Sequence, residues 1–128
     1  MQLRQQAKEF RKSLSSAQID ARSLRSVNAF NNADAVLFYA PLKGEINTFL
    51  LMKDLLLQNR NIYLPITADE DMNFYKINDL SVLKEGDFHV LNPPALEEKR
   101  WKAQTGENIC MIVPGLMFDK KRNRLGYG

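Results

Sequence analysis

Residues 34–40 read Asp-Ala-Val-Leu-Phe-Tyr-Ala (DAVLFYA), a short and almost wholly apolar run that Pro41 stops. Apolar positions without alternation predict a strand covered on both faces, which is the habit of parallel sheets. Downstream, Asn47 is a candidate N-cap, and Phe49, Met52, Leu55 and Leu56 mark one face of a helix that QNRN (58–61) closes. The next strand is NIYLPI (61–66). Strand, helix and strand in this order predict a right-handed crossover unit. MNFYKI (72–77) predicts a third strand, Asp79 to Arg100 reads mostly as loop around Pro93-Pro94, and NICMIVPG (108–115) reads as another buried strand.

Upstream, Leu3, Ala7, Phe10 and Leu14 recur at helical spacing beside a stripe of Arg4, Lys8 and Arg11, which predicts an amphipathic helix over 2–14 with one basic flank. Ser15 followed by Gln18 makes a capping-box pattern, and Ala17, Ala21, Leu24 and Val27 carry a second helix to about residue 30, where Asn31-Asn32 ends it. The fold class that results is α/β, a single layered domain over 1–128 with a mostly parallel sheet flanked by helices.

At 128 residues with 45% hydrophobic and 26% charged content, the composition is that of one globular domain. No apolar run reaches the roughly 20 residues of a membrane span, and the N-terminus lacks the apolar stretch of a signal peptide. The single cysteine, Cys110, has no internal partner, so a reducing cytoplasm is the expected setting. Net charge is +3, with cations concentrated near both ends: Arg4, Lys8, Arg11, Lys12, Arg22 and Arg25 at one, Lys120, Lys121, Arg122 and Arg124 at the other. That excess is modest and carries no motif for reading DNA or RNA, so two local clusters suit a small polyanion better than nucleic acid.

In an open α/β sheet, ligands gather at the carboxyl ends of strands. Two loops qualify: APLKGEIN after the first strand, and PGLMFDKKRNRLGYG after the last. Glu45 lies in the first, ahead of the helix, either as a solvated glutamate near a helix N-terminus or as a carboxylate aimed at a ligand's polar end. In the second, Gly126 and Gly128 stand one residue apart behind a basic run, a pattern that lets backbone N–H groups approach an anion. His89 is the only histidine, which leaves no histidine-based triad or metal cluster, and Cys110 sits in an apolar strand as a small hydrophobe.

VPGLMFD (113–119) followed by NRLGYG (123–128) resembles the VPGLxFDxxxxRLGxGxGYYD signature of the 5-formyltetrahydrofolate cyclo-ligase family. The opening LRQQAKEFRKSLS resembles the basic N-terminal helix of that family, FYAPLKGEINT its folate loop, and NIYLPI the strand after it. The resemblance implies an ATP-dependent ring closure of 5-formyltetrahydrofolate to 5,10-methenyltetrahydrofolate with Mg²⁺. It implies that Arg4 and the segment Arg124, Leu125, Gly126, Tyr127 and Gly128 bind ATP, and that Glu45 and Ala40 bind the pterin end of the folate. Phosphoryl transfer is mostly positioning and charge neutralisation, so glycines, arginines and a metal suit it without a histidine base.

The chain also departs from that pattern. The family's lysine four residues before its N-terminal arginine would precede Met1, Tyr127 stands where many members have arginine, and the GYYD segment with its Mg²⁺ aspartate lies beyond Gly128. The expectation is therefore a cyclo-ligase whose C-terminal part is missing and whose turnover is poor as it stands. A non-enzymatic folate- or nucleotide-binding remnant is the alternative.

Overall fold

A computed structural model of the protein describes residues 3, 5, 6, 9, 25–42, 45–68, 71–115 and 117–125. Leu3, Gln5, Gln6 and Glu9 are helical, and Gln5 Nε2 donates to Glu9 Oε1 at 3.2 Å, one helical turn on. The other positions of the helix read over 2–14 lie outside the described residues, as does most of the helix read from Ser15. A four-residue helix α1 (Asn28–Asn31) then stops at Asn32, where the Asn31-Asn32 pair predicts an end, but Val27, read as part of a continuous helix with a buried face, is extended and 44% exposed.

Four strands form the main sheet: β1 (Ala35–Leu37), β2 (Ile62–Ala68), β3 (Asp71–Ile77) and β6 (Ile109–Met111), in the order β3-β2-β1-β6. Strand β1 pairs in parallel with β2 on one side and with β6 on the other, while β2 and β3 are antiparallel from Ile62↔Ile77 to Ala68↔Asp71. The three runs read as sharing one mostly parallel sheet do share it. Helix α2 (Phe49–Leu57) connects β1 to β2, as the crossover requires.

The β1–β2 ladder is short for a reason visible in the sequence. Val36 N–H donates to Asn61 C=O and Phe38 N–H to Tyr63 C=O, both at 2.9 Å. The next parallel rung would take an N–H from residue 65, and that residue is proline, which has none. Beyond Phe38 the two strands are therefore released from each other at their carboxyl ends, while β2 continues against β3.

The core lies between this sheet and α2. Val36, Phe38, Ile62, Leu64 and Ile77 pack with Leu51, Met52 and Leu55 of the helix and with Phe30 and Ala33. Leu51 belongs to the buried face, whereas Phe49 and Leu56, read as facing the core, are only half-buried. The sequence FLLMKDLLL is apolar almost all round, so periodicity alone leaves the inward direction ambiguous. Phe30 and Phe38 meet edge to face at 6.5 Å between centroids. Arg60, just past the helix, lies 5.5 Å from the Phe30 centroid and donates through Nη2 to the carbonyls of Phe30 at 2.9 Å and Ala33 at 3.4 Å.

Two expectations are corrected, and the stretch read as mostly loop gains detail. The strand read as buried, β6, shows one face: Cys110 is half-buried, but Ile109, Met111 and Val113 are 38%, 53% and 46% exposed. At the edge of the described sheet the pleat turns Cys110 and Ile112 toward the core and sends their neighbours to the other side. The Asp79–Arg100 stretch is not loop throughout. It holds a small ribbon of β4 (Lys84–Glu85) and β5 (Leu91–Asn92) with 3₁₀ turns around it. Arg124 and Leu125, read as part of a phosphate loop, form β8 (Arg124–Leu125), antiparallel to β7 (Met117–Phe118). Asp119 closes that ribbon: Oδ1 accepts from the backbone N–H of Lys121 and of Asn123, and Oδ2 from the Asn123 amide, each at 2.8 Å. Among the described residues no helix is long and apolar enough to cross a membrane.

Two outcomes follow from this packing. Leu64→Ala should lower the free energy of unfolding by about 2–5 kcal/mol in a denaturant titration, whereas Leu57→Ala, at a site 77% exposed, should stay within about 0.5 kcal/mol. The hydrogen bonds from Asn123 and Lys121 hold the Asp119 carboxyl below its usual range. Its support of the ribbon is therefore full above the ordinary aspartate value and is lost as pH falls through the lowered one. The amide resonances of Lys121 and Asn123 should move together in an acid titration, and independent shifts would remove Asp119 as their shared partner.

Candidate functional site

Parallel pairing of β1 with both neighbours puts three carboxyl ends at one side of the sheet: the segments after Leu37, after Tyr63 and after Met111. The chain leaves β1 toward β2 on one side and later returns to pair as β6 on the other. The carboxyl end of β1 is thus a topological switch point, the position where open α/β sheets form a crevice. The parting of β1 and β2 forced by Pro65 widens it.

The β1 loop carries Ala40 and Glu45 into this region. Ala40 is buried and belongs to the core cluster, so it forms the floor under the loop. Glu45 is only 6% exposed, unusual for a glutamate. Its Oε1 accepts from the backbone N–H of Leu42 at 2.8 Å, and its own N–H donates to Leu42 C=O at 3.0 Å, which folds the carboxylate back over its own loop. The loop is tied again higher up. The Tyr39 hydroxyl donates to Ile46 C=O at 3.2 Å, and the Thr48 hydroxyl to Tyr39 C=O at 3.1 Å. A solvated glutamate does not fit this burial; a carboxylate held in one place does.

A cavity of about 390 Å³ opens at the carboxyl half of β2, lined by Pro65, Thr67, Asp87, Phe88, Val90 and Asn92. Phe88 is 89% exposed, and Phe88 and His89 both take left-handed backbone angles, with φ of 57° and 61°. For side chains with a Cβ such angles cost about 1–3 kcal/mol each and tend to mark functional turns. His89 is exposed, and from the turn that joins β4 to β5 its ring nitrogen Nδ1 pairs with Glu85 Oε1 at the end of β4. Sequence reasoning passed over Phe88 because a lone aromatic in a stretch read as loop carries no periodic signal. Tyr39 and Thr48 were missed because their bonds go to backbone carbonyls.

The structure brings Ala40 and Glu45 together on one loop. Arg124 and Leu125 lie on the β7–β8 ribbon, which follows the carboxyl end of β6, and of Arg124 the backbone is described. Arg4, Gly126, Tyr127 and Gly128 lie outside the described residues, so their convergence with Glu45 stays an expectation. Burial pushes the Cys110 thiol up, which fits a packing role. Among the described residues no three His, Cys, Asp or Glu side chains gather as a metal site.

The chain is similar to the 5-formyltetrahydrofolate cyclo-ligase of Haemophilus influenzae, 29% identical over 99 residues that cover 75% of this chain and 52% of that protein. It is similar to the mouse 5-formyltetrahydrofolate cyclo-ligase at 23% identity, over 79% of this chain and 52% of the relative. The chain thus spans about half the length of these relatives. The NMR structure of Aquifex aeolicus 5,10-methenyltetrahydrofolate synthetase superposes with a TM-score of 0.78 at 26% identity, covering 99% of this chain and 66% of that one. The synthetase from Mycoplasma pneumoniae shares the fold, with a TM-score of 0.60 at 18% identity, over 98% and 70% of the two chains. Residues 1–128 match the model of a single family throughout, and the chain with its switch-point loop and buried glutamate belongs to the 5-formyltetrahydrofolate cyclo-ligase family.

Proposed function

We propose that the chain, read as one α/β domain, works in the ATP-dependent closure of 5-formyltetrahydrofolate to 5,10-methenyltetrahydrofolate. The observation that carries this reading is Glu45, a buried carboxylate fastened by Leu42 N–H at the carboxyl end of the central strand, in a chain of the cyclo-ligase family. The pterin of a reduced folate presents adjacent ring and amino N–H donors, which a carboxylate accepts as a pair. A carboxylate offers about four acceptor positions, so the bond to Leu42 is compatible with that role.

In this reading the formyl oxygen attacks the γ-phosphorus of ATP and ADP leaves. N10 then attacks the activated carbon, the carbon–oxygen bond breaks to release phosphate, and N10 gives up its proton. Glu45 fixes the pterin so that the formyl oxygen faces the nucleotide, and Ala40 lines that pocket. Arg4 and the segment Arg124 to Gly128 carry the counter-charge for the phosphates, supplied in advance rather than recruited during the reaction. Mg²⁺ would neutralise further phosphate charge. The described side chains do not gather as its ligand set, and every step above runs through the chain's own residues and the nucleotide. A single cysteine and a small anionic substrate suit a reducing cytoplasm, with no role for nucleic acid or membrane.

The reading predicts that purified protein binds 5-formyltetrahydrofolate and, given ATP and Mg²⁺, produces the methenyl absorbance band. Absence of both binding and turnover would end it. Glu45→Gln should weaken folate binding by roughly ten- to a hundredfold, the worth of a hydrogen bond to a charged group, and leave ATP binding unchanged. Equal losses for the two ligands would take Glu45 out of the folate site.

A further inference from the structure

Threonine at the start of a helix normally turns its hydroxyl to the helix, accepting a backbone N–H of the first turn. Thr48 occupies the N-cap position of α2 and makes no such bond. Its hydroxyl points the other way and donates to Tyr39 C=O at 3.1 Å, nine residues back and two past the end of β1. Asn47, the residue that the sequence marks as the N-cap, takes the capping role instead, its Oδ1 accepting the Phe49 N–H at 3.0 Å, while Thr48 already has helical backbone angles. Thr48 is 0% exposed, so this is a hydroxyl committed in a site where no water competes for it.

The bond closes the loop that holds Glu45. At its near end Leu42 and Glu45 bond to each other twice, through Leu42 N–H to Oε1 and Glu45 N–H to Leu42 C=O. At its far end the Thr48 hydroxyl on Tyr39 C=O and the Tyr39 hydroxyl on Ile46 C=O tie the loop back to the segment that follows β1. Thr48 lies three residues after Glu45, close enough for a shift at the cap to be passed to the carboxylate. Paired hydrogen bonds tolerate only a few tenths of an ångström, so a loop released at one end loses one of the pair before the backbone is visibly disturbed.

We propose that Thr48 is a positioning residue for Glu45: its buried hydroxyl joins the head of α2 to the segment that follows β1 and thereby sets the carboxylate for paired donors on the folate. The proposal rests on the folate reading of Glu45 and adds to it the residue that sets Glu45's geometry.

The test is titration of 5-formyltetrahydrofolate and, separately, ATP into the wild type, Thr48→Val, Thr48→Ser, Glu45→Gln and the Glu45→Gln/Thr48→Val double variant, each first checked by thermal unfolding. Thr48→Val should weaken folate binding about tenfold and leave ATP unchanged, and Thr48→Ser, which keeps the hydroxyl, should restore most of the loss. In the Glu45→Gln background, valine should add no more than about twofold, because two residues acting through one contact are not additive. Thr48→Ala serves in place of valine should that variant fail to fold. Additive losses in the double variant, or an equal loss for ATP, would overturn the proposal while leaving the folate reading intact. A Glu45→Gln protein with wild-type folate affinity would overturn both.

Discussion

The arrangement at the carboxyl end of this sheet depends on one absent hydrogen. Phe38 N–H to Tyr63 C=O is the last rung between β1 and β2, because the residue due to donate next is Pro65. A continuous ladder would carry β1 straight through Ala40 and leave no room for a loop that turns back. With the rung missing, β1 bends away into Pro41 and the Glu45 loop, while β2 runs on with β3 as far as Ala68. The crevice at the switch point is therefore a property of the backbone before any ligand chemistry is considered.

Within that crevice the polar groups are tied mostly to backbone. Glu45, Tyr39, Asn47 and Thr48 each bond to a main-chain atom within their own loop. Side chain to backbone bonds of this sort set loop shape locally, and the sheet below them supplies only the two ends. The Asp119 ribbon is organised the same way, with one carboxylate gathering two backbone amides and a side-chain amide. Both of the loops that flank the switch point are thus held by an acidic side chain facing inward on its own segment.

Much of this was legible in the sequence. DAVLFYA, NIYLPI and NICMIVPG read as strands of one sheet because each is apolar beyond what a one-faced strand needs, and the pairing of Val36 with Ile62 and Cys110 bears that out. Glu45 was legible as a candidate because it follows such a strand at the right end. Other features were not. The exposure of Met111 depends on which strand lies at the edge, and an apolar run does not encode its neighbours. The β7–β8 ribbon was hidden because Asp119 and Asn123 announce a turn only once Phe118 and Arg124 are known to face each other. Phe88 was hidden because left-handed angles at an aromatic residue run against its own preference, and propensity cannot foresee a conformation the surroundings impose.

The environment of Arg60 has a consequence for which cations the fold accepts. One guanidinium lies over the Phe30 ring and reaches two carbonyls, those of Phe30 and Ala33, tying the segment that leads into β1 to the end of the helix that leaves it. A planar, delocalised ion does both at once, since its face meets the ring while its edge donates. An ammonium is a compact, strongly hydrated point charge with no flat face, so it would have to choose. At this position lysine preserves the charge and loses the function of the charge, and arginine here is a matter of shape.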